Sequence, residues 1–381
     1  MRKALASSWI AMIAIAITVN VPPVCLTSVE ECFNLTHAAG GFLLSSVLLG
    51  FLFTLALAGP AADRIGMRPL LVVAPIMQIA GLLTSAFAPT YRVLVAGAFL
   101  MGSGNGILEA LVNPIVCLTA PENKTRAVNF LHSFYAIGAA ASVLGTSFLL
   151  RAGGDWRHAY LVGAAVPAIY GVMYALSDLP TLPAAHEDRT GTMHMLRRPV
   201  FILLICCMFL AGGAELGPAQ WIPAYMEDEY GLSKFGGALV FALFSAAMMC
   251  GRLTMSRLSE SVRPLSFLKV ACVSCAAMVA LSALLRGSVP AAVVFFFFGF
   301  FVSVFWPTLL AVSTDAFPRA GATMYSILGI SGNAGGVFPW VVGAVADRWS
   351  LRAAIGVHAI LPLALLGLLV MVGRQTGRRD G

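Results

Sequence analysis

The sequence predicts an all-α integral membrane protein: twelve transmembrane helices in two pseudo-symmetric six-helix bundles. Two observations carry this. Of the 381 residues, 59% are hydrophobic and 11% charged, against about 25% charged in a soluble domain. The apolar residues also fall into twelve runs, each close to the ~20 residues that cross a hydrocarbon core. One long polar stretch, Asp178 to Arg198, interrupts them at mid-chain with Pro180, Pro183, His186, Glu187, Asp188, Arg189, His194, Arg197 and Arg198. It divides the chain into an N-terminal bundle at 1–178, a cytoplasmic linker at 179–198 and a C-terminal bundle at 199–381.

In order, the expected spans are 5–26, 38–59, 70–88, 93–119, 127–150, 159–177, 199–226, 236–255, 265–285, 289–314, 321–345 and 352–373. The opening Met1-Arg2-Lys3 and its apolar run are like a secretory leader. More spans follow, and no small-residue cleavage site precedes a soluble domain, so the run is read as the first span. Placing both termini in the cytoplasm puts 17 of the 24 Lys and Arg residues on the inner side, the bias that sets orientation. The expected location is therefore a plasma membrane, the inner membrane if the host is bacterial. The net charge of +7 is then a topological signal, and no nucleic-acid partner is expected.

Eight cysteines show no metal spacing. Cys117, Cys206, Cys207, Cys250, Cys272 and Cys275 lie within or at the ends of apolar runs and read as packing residues. Cys25 and Cys32 flank the first external loop, free or paired. Asn34-Leu-Thr36 on that loop is a glycosylation sequon if the host glycosylates.

The fourth span carries the chain's most informative stretch, Gly102 to Cys117. Asn105, Glu109 and Asn113 recur every four residues, one polar stripe on a helix face. A carboxylate at membrane depth costs several kcal/mol unless it faces a cavity or a partner, and no basic residue is read at that depth. Removed from water, a carboxylate is suited to take up and release a proton. Glu109 is thus the first candidate for proton coupling; the alternative is a neutral acid that only hydrogen-bonds between helices.

Glu215 in the seventh span precedes Pro218, which bends a helix, and Gly212, Gly213 and Gly217 add flexibility. It is the second candidate acid; the alternative is an acid near the outer interface. Gln220, Trp221 and Trp306 suit sugar binding, with rings to stack on a pyranose and an amide for its hydroxyls. Trp221 is read as preceding a loop and equally suits the interfacial aromatic belt. Asn113 and Asn333 either bind substrate or hydrogen-bond between helices. Asn20 is the strongly polar residue of the first span. His132 and Tyr135 of the fifth span either line the cytoplasmic part of a cavity or are structural. Gly138 with Gly145, and Gly335 with Gly336, are expected to bring helices close.

A weak internal repeat supports two related halves, the usual build of a secondary transporter. Gly59-Pro-Ala-Ala-Asp-Arg-Ile-Gly-Met-Arg-Pro69 follows the second span, and Gly251-Arg-Leu-Thr-Met-Ser-Arg-Leu-Ser259 follows the eighth. Each is expected to form a tight cytoplasmic turn, with Arg252 and Arg257 the arginines of the second.

The Gly59–Pro69 segment resembles the signature loop of the major facilitator superfamily. Gly59, Asp63, Arg64, Gly66 and Arg68 match; Ala61 and Met67 depart. The expected role is a charge latch that pairs with helix ends in one conformation and releases in another. Further islands resemble the fucose:proton symporter-like branch: Gly104 to Pro114, Gly213 to Trp221 with Tyr225, Phe305 to Thr308, and Gly329 to Gly336 with Pro339 and Gly343 to Arg348. The resemblance implies the major facilitator fold and proton-coupled alternating access, with a sugar or similar solute as substrate. It implies no cofactor, and the chain is expected to act as a monomer. The first span departs by offering Asn20 where sugar symporters of this branch often carry an acid. A drug or metabolite exporter is the alternative, although Gly145 is followed by Thr146 where exporters usually show Gly-Pro. A non-transporting receptor or scaffold is a third reading. No nucleotide loop, metal cluster or nucleophile with a base points to an enzyme.

Overall fold

The computed structural model describes residues 2–35, 37–180 and 192–377. Among them every regular element is helical, and twelve helical segments are long and apolar enough to cross a membrane. The first five spans are the helices Arg2–Val24, His37–Ile65, Met67–Ala86, Tyr91–Thr119 and Lys124–Arg151. The eighth and ninth are Lys234–Leu258 and Pro264–Leu284. A short helix, Leu26–Phe33, lies between the first and second spans. Thr36 of the sequon and residues 181–191 of the expected linker lie outside the described residues.

Five spans are broken, and proline accounts for the positions. The sixth is Trp156–Gly163 and Ala165–Ala175, the seventh Pro199–Ala219 and Ile222–Tyr230, the tenth Ser288–Val302 and Phe305–Ala316. The eleventh is Ala322–Ala334 and Phe338–Ala346, joined by the single turn Gly335–Val337, and the twelfth Leu351–Val357 and Ile360–Gly377. A proline cannot donate to the carbonyl four residues before it, and its ring presses against that carbonyl. Pro167, Pro223, Pro307, Pro339 and Pro362 each stand three or four residues past a break.

Two expectations are corrected here. Trp221 does not precede a loop: it sits at the break in the seventh span, and helix resumes at Ile222. Gly251–Ser259 is not a tight turn, because the eighth span stays helical through Leu258. The Gly59–Pro69 counterpart does turn, on one residue. The second span ends at Ile65, Gly66 takes φ 84°, and the third span starts at Met67. That left-handed φ favours glycine.

The chain forms two compact units. One comprises Met1–Pro121, Phe134–Arg189 and Arg319–Ile327; the other comprises Glu122–Ser133, Thr190–Pro318 and Leu328–Gly381. In the first unit the second and fourth spans touch backbone to backbone. A Cβ on Gly102 would fall 1.8 Å from the Val47 carbonyl oxygen, and one on Gly106 2.2 Å from that of Phe51. Val21, Cys25, Leu43, Leu82, Trp156 and Tyr160 close one end of this unit in an apolar cluster. In the second unit Tyr225 anchors the end of the seventh span, its hydroxyl donating to the Ser282 carbonyl at 2.7 Å.

The cysteines follow the packing only in part. Cys117, Cys207, Cys272 and Cys275 are buried, whereas Cys206 and Cys250 lie on exposed faces. Cys25 is buried, Cys32 is exposed, and both are free thiols. Gly138 packs against Ile13 and Gly335 against Gly212, but a Cβ on Gly145 would meet nothing within 4 Å.

Candidate functional site

The polar groups of the first unit converge on the fourth span. Residues 101–117 of that helix are buried without a gap, which small residues at its crossings permit. Glu109 is 7% exposed. One turn on, Asn113 is 1% exposed, and its Nδ2 lies 3.3 Å from Glu109 Oε1 and 3.2 Å from the Glu109 carbonyl. One turn back, Asn105 is fully buried. Its Oδ1 accepts from Gln78 Nε2 of the third span at 2.6 Å and faces Thr18 Oγ1 of the first span at 2.8 Å. The Tyr170 hydroxyl of the sixth span donates to Gln78 Oε1 at 2.8 Å. Four spans thus meet in one hydrogen-bonded cluster around a helix that carries a carboxylate.

Within this cluster Asn105 Nδ2 has no hydrogen-bond partner among the described residues. The Thr18 hydroxyl has a single proton and lies within 3.0 Å of the Ala14 and Ile15 carbonyls as well as Asn105. Bonded to its own helix, that hydroxyl would accept from a reversed Asn105 amide. In either orientation one polar atom of the buried amide is left over.

Asn20 takes no part in this. It is half-buried and donates to the Ala16 carbonyl of its own helix at 2.7 Å. Thr18, two residues earlier, is the first-span residue in the cluster. Thr18, Gln78 and Tyr170 were not singled out from sequence, since one hydroxyl or amide in an apolar run carries little signal. The four-residue spacing to Asn105 concerns only the fourth span.

In the second unit the sequence expectation about basic residues is corrected. Arg252 is not in a surface turn; its side chain is 5% exposed inside the bundle. Its Nε donates to the Ser303 carbonyl at 3.1 Å and its Nη1 to the His132 carbonyl at 3.0 Å. Pro307 explains the first acceptor: it stands four residues past Ser303 and leaves that carbonyl without its helical donor. Arg252 Nη2 lies 4.0 Å from Oε1 of Glu215, whose side chain is 20% exposed.

Other expected site residues are placed individually. Gln220 is exposed. Trp221 donates its indole N–H to the Pro339 carbonyl at 2.9 Å. Trp306 is half-buried and packs its ring so closely against Gly332 that an added Cβ would come 2.1 Å from it. Asn333 donates to Gly329 of its own helix at 2.9 Å. His132 is 5% exposed and Tyr135 is half-buried. His358, unremarked in the sequence, places Nε2 2.8 Å from the Gly213 carbonyl, beside the seventh-span glycines.

The signature loop has a defined partner within the first unit. Asp63 Oδ1 accepts from the Ala322 amide at 2.8 Å, and Oδ2 from the Thr323 amide at 3.2 Å and the Thr323 hydroxyl at 2.5 Å. A carboxylate thus caps the positive N-terminus of the eleventh span. Gly59 packs against Thr323 and Ser326 without room for a Cβ. Arg68 donates to the Ser177 carbonyl at 2.9 Å; Arg64 and Arg257 are exposed.

The chain matches the Major Facilitator Superfamily over residues 5–338. It is 33% identical to a D-xylose transporter of Levilactobacillus brevis over 103 residues, 27% of this chain and 22% of that protein. It is 24% identical to a glucose/galactose transporter of Brucella abortus over 380 residues, 90% of this chain and 87% of that one. The structure is similar to that of the E. coli fucose:proton symporter FucP in the outward conformation. The TM-score is 0.84 at 18% identity, covering 97% of this chain and 98% of the other.

Proposed function

The chain belongs to the Major Facilitator Superfamily, and from that premise we propose that this multi-pass membrane protein is a proton-coupled transporter of a sugar or similar polyol. The observation that carries the reading is the fourth span. A buried carboxylate, Glu109, shares its helix face with two buried amides, Asn113 and Asn105, and the latter is tied to Gln78 and Thr18.

Glu109 takes the proton. A neutral carboxyl is the cheaper form away from water, and the charged form is regained when the site opens to the side where the proton leaves. The amides supply recognition. A sugar hydroxyl both donates and accepts, so it satisfies the left-over atom of Asn105 whichever way the amide lies. Trp306, packed closely against Gly332, supplies an aromatic ring for a pyranose. The similar xylose and glucose/galactose transporters and the fucose:proton symporter support a sugar as the substrate class. Transport follows alternating access, with both termini cytoplasmic. The Asp63 cap holds one conformation and is released in the other.

The test is uptake of labelled monosaccharides into proteoliposomes under an inward proton gradient, a sodium gradient or none, with wild type and Glu109→Gln. The expected result is proton-driven accumulation of at least one sugar, with Glu109→Gln retaining exchange and losing accumulation. Sodium-driven uptake overturns the ion. No uptake of any sugar overturns the substrate class and favours an exporter.

A further inference from the structure

We propose that Lys269 of the ninth span and Arg374 of the twelfth hold the phosphate of an anionic phospholipid, whose acyl chains lie along the exposed apolar faces of these two spans. The proposal rests on the reading that places both termini in the cytoplasm, because that puts the two cations at the inner leaflet, where anionic headgroups concentrate.

The two spans meet within the second unit. The Lys269 Nζ lies 3.6 Å from where a Cβ on Gly373 would stand, and Arg374 is the next residue along. Glycine leaves that ammonium uncovered by a side chain of its own. Lys269 is half-buried and Arg374 is exposed. Apolar surface runs away from both cations. On the ninth span Val270 and Val273 are exposed on the face that carries Lys269. On the twelfth Leu363, Gly367 and Met371 are exposed at four-residue intervals, and Arg374 continues the stripe three residues on. A Cβ on Gly367 would meet nothing within 4 Å, so the stripe has an open dent. Cations at one end and open apolar faces behind them match the two parts of a phospholipid.

Topology alone asks for basic residues in the turns, and exposed Arg263, which stands just before the ninth span, meets that demand. It does not ask for Lys269, five residues inside the helix and about 7.5 Å past its start. The interfacial layer outside the hydrocarbon core is about 5–8 Å deep on each side. The ammonium of Lys269 therefore lies at the level of lipid phosphate and glycerol, with its stem along apolar surface. A cation at that level is best served by an anion. Elsewhere in the second unit the chain supplies one: Lys124 pairs with Asp315, Arg126 with Glu260 and Arg352 with Glu229. Among the described residues neither Lys269 nor Arg374 pairs with a carboxylate. The phosphodiester of a neighbouring lipid supplies the charge, with Arg374 binding it through paired N–H groups and Lys269 as a point charge.

The test is native mass spectrometry of the purified full-length protein, titrated with phosphatidylglycerol or phosphatidylcholine, with and without millimolar inorganic phosphate. Wild type is expected to retain phosphatidylglycerol more tightly than phosphatidylcholine, whether or not phosphate is present. Lys269→Gln and Arg374→Gln are each expected to weaken phosphatidylglycerol binding about fivefold, and together roughly 25-fold, the worth of one cation each beside an anionic headgroup. Arg348→Gln, at an exposed arginine just before the twelfth span, removes the same charge a helix length away and should leave binding unchanged. Phosphatidylglycerol should also raise the unfolding temperature of wild type and not that of the double variant, and unfolding in phosphatidylcholine verifies that each variant is folded. The proposal is overturned if the double variant retains phosphatidylglycerol like wild type, if phosphatidylcholine binds equally well, or if Arg348→Gln weakens binding as much. Displacement of the lipid by inorganic phosphate would mean a free-anion site and equally overturns it. The readout needs no substrate, so failure of the sugar assignment leaves it standing, and its own failure leaves Glu109-driven transport intact.

Discussion

Thr323 gives its hydroxyl proton to Asp63 at 2.5 Å, and its backbone amide points at the same carboxylate oxygen from 3.2 Å. Asp63 is thus a helix cap before it is anything else. Loss of such a cap costs roughly 0.5–2 kcal/mol. Asp63→Ala is expected to lower maximal uptake while leaving the half-saturating substrate concentration within about twofold. Asp63→Asn, which keeps the acceptor and loses the charge, should fall between. A change confined to substrate affinity, measured in proteoliposome uptake, would refute the latch.

The Asn105 cluster makes a separable prediction. Tyr170→Phe removes one buried hydrogen bond, worth about 1 kcal/mol, without touching the fourth span. Gln78→Ala also removes the donor to Asn105 Oδ1. Residues sharing a network couple by about 0.5–3 kcal/mol, so the double variant should lose less stability than the two single losses together. Thermal unfolding in detergent measures this. Strict additivity would mean the three side chains are neighbours and not a network.

How far this was readable without coordinates depended on whether a signal was local. The twelve apolar runs, the 105–109–113 stripe and the Gly66 turn each sit within one segment, and all three hold. Thr18, Gln78 and Tyr170 gain meaning only where three other spans bring them to Asn105, and no periodicity announces that. Arg252 misled for the same reason. An arginine after an apolar run reads as a loop anchor, yet the helix continues to Leu258 and turns it inward. Its acceptor at Ser303 was foreshadowed by Pro307, but a freed carbonyl does not name its donor.

Cys25 and Cys32 should differ in chemistry. Burial, and secondarily the charge of Asp155, push the Cys25 thiol from the usual 9.0 up to about 12. The thiolate is the reactive form, so at pH 7.5 maleimide should modify exposed Cys32 and spare Cys25 until the protein is unfolded. The sign also fixes a stability effect. Between pH 9.0 and about 12 the unfolded chain ionises Cys25 while the folded one does not, so this group lowers stability as pH rises through that window. Peptide mapping after labelling checks the first point. Modification of Cys25 in folded protein would contradict its burial.

Two glycines in neighbouring helices should answer oppositely to the same substitution. At Gly102 an alanine methyl would sit 1.8 Å from the Val47 carbonyl oxygen, a backbone atom that cannot swing aside. The second and fourth spans must then separate, and overpacking of this kind costs typically 1–3 kcal/mol. The separation also disturbs Glu109, two turns further along the same helix, so Gly102→Ala is expected to reduce both unfolding temperature and uptake. At Gly145 the methyl meets nothing within 4 Å. There the substitution acts through the chain alone, where alanine is about 1 kcal/mol better than glycine inside a helix. Gly145→Ala is expected to raise the unfolding temperature slightly and leave uptake unchanged. Equal responses at the two sites, measured by thermal unfolding and uptake together, would show that the close crossing of the second and fourth spans does not hold the carboxylate in place.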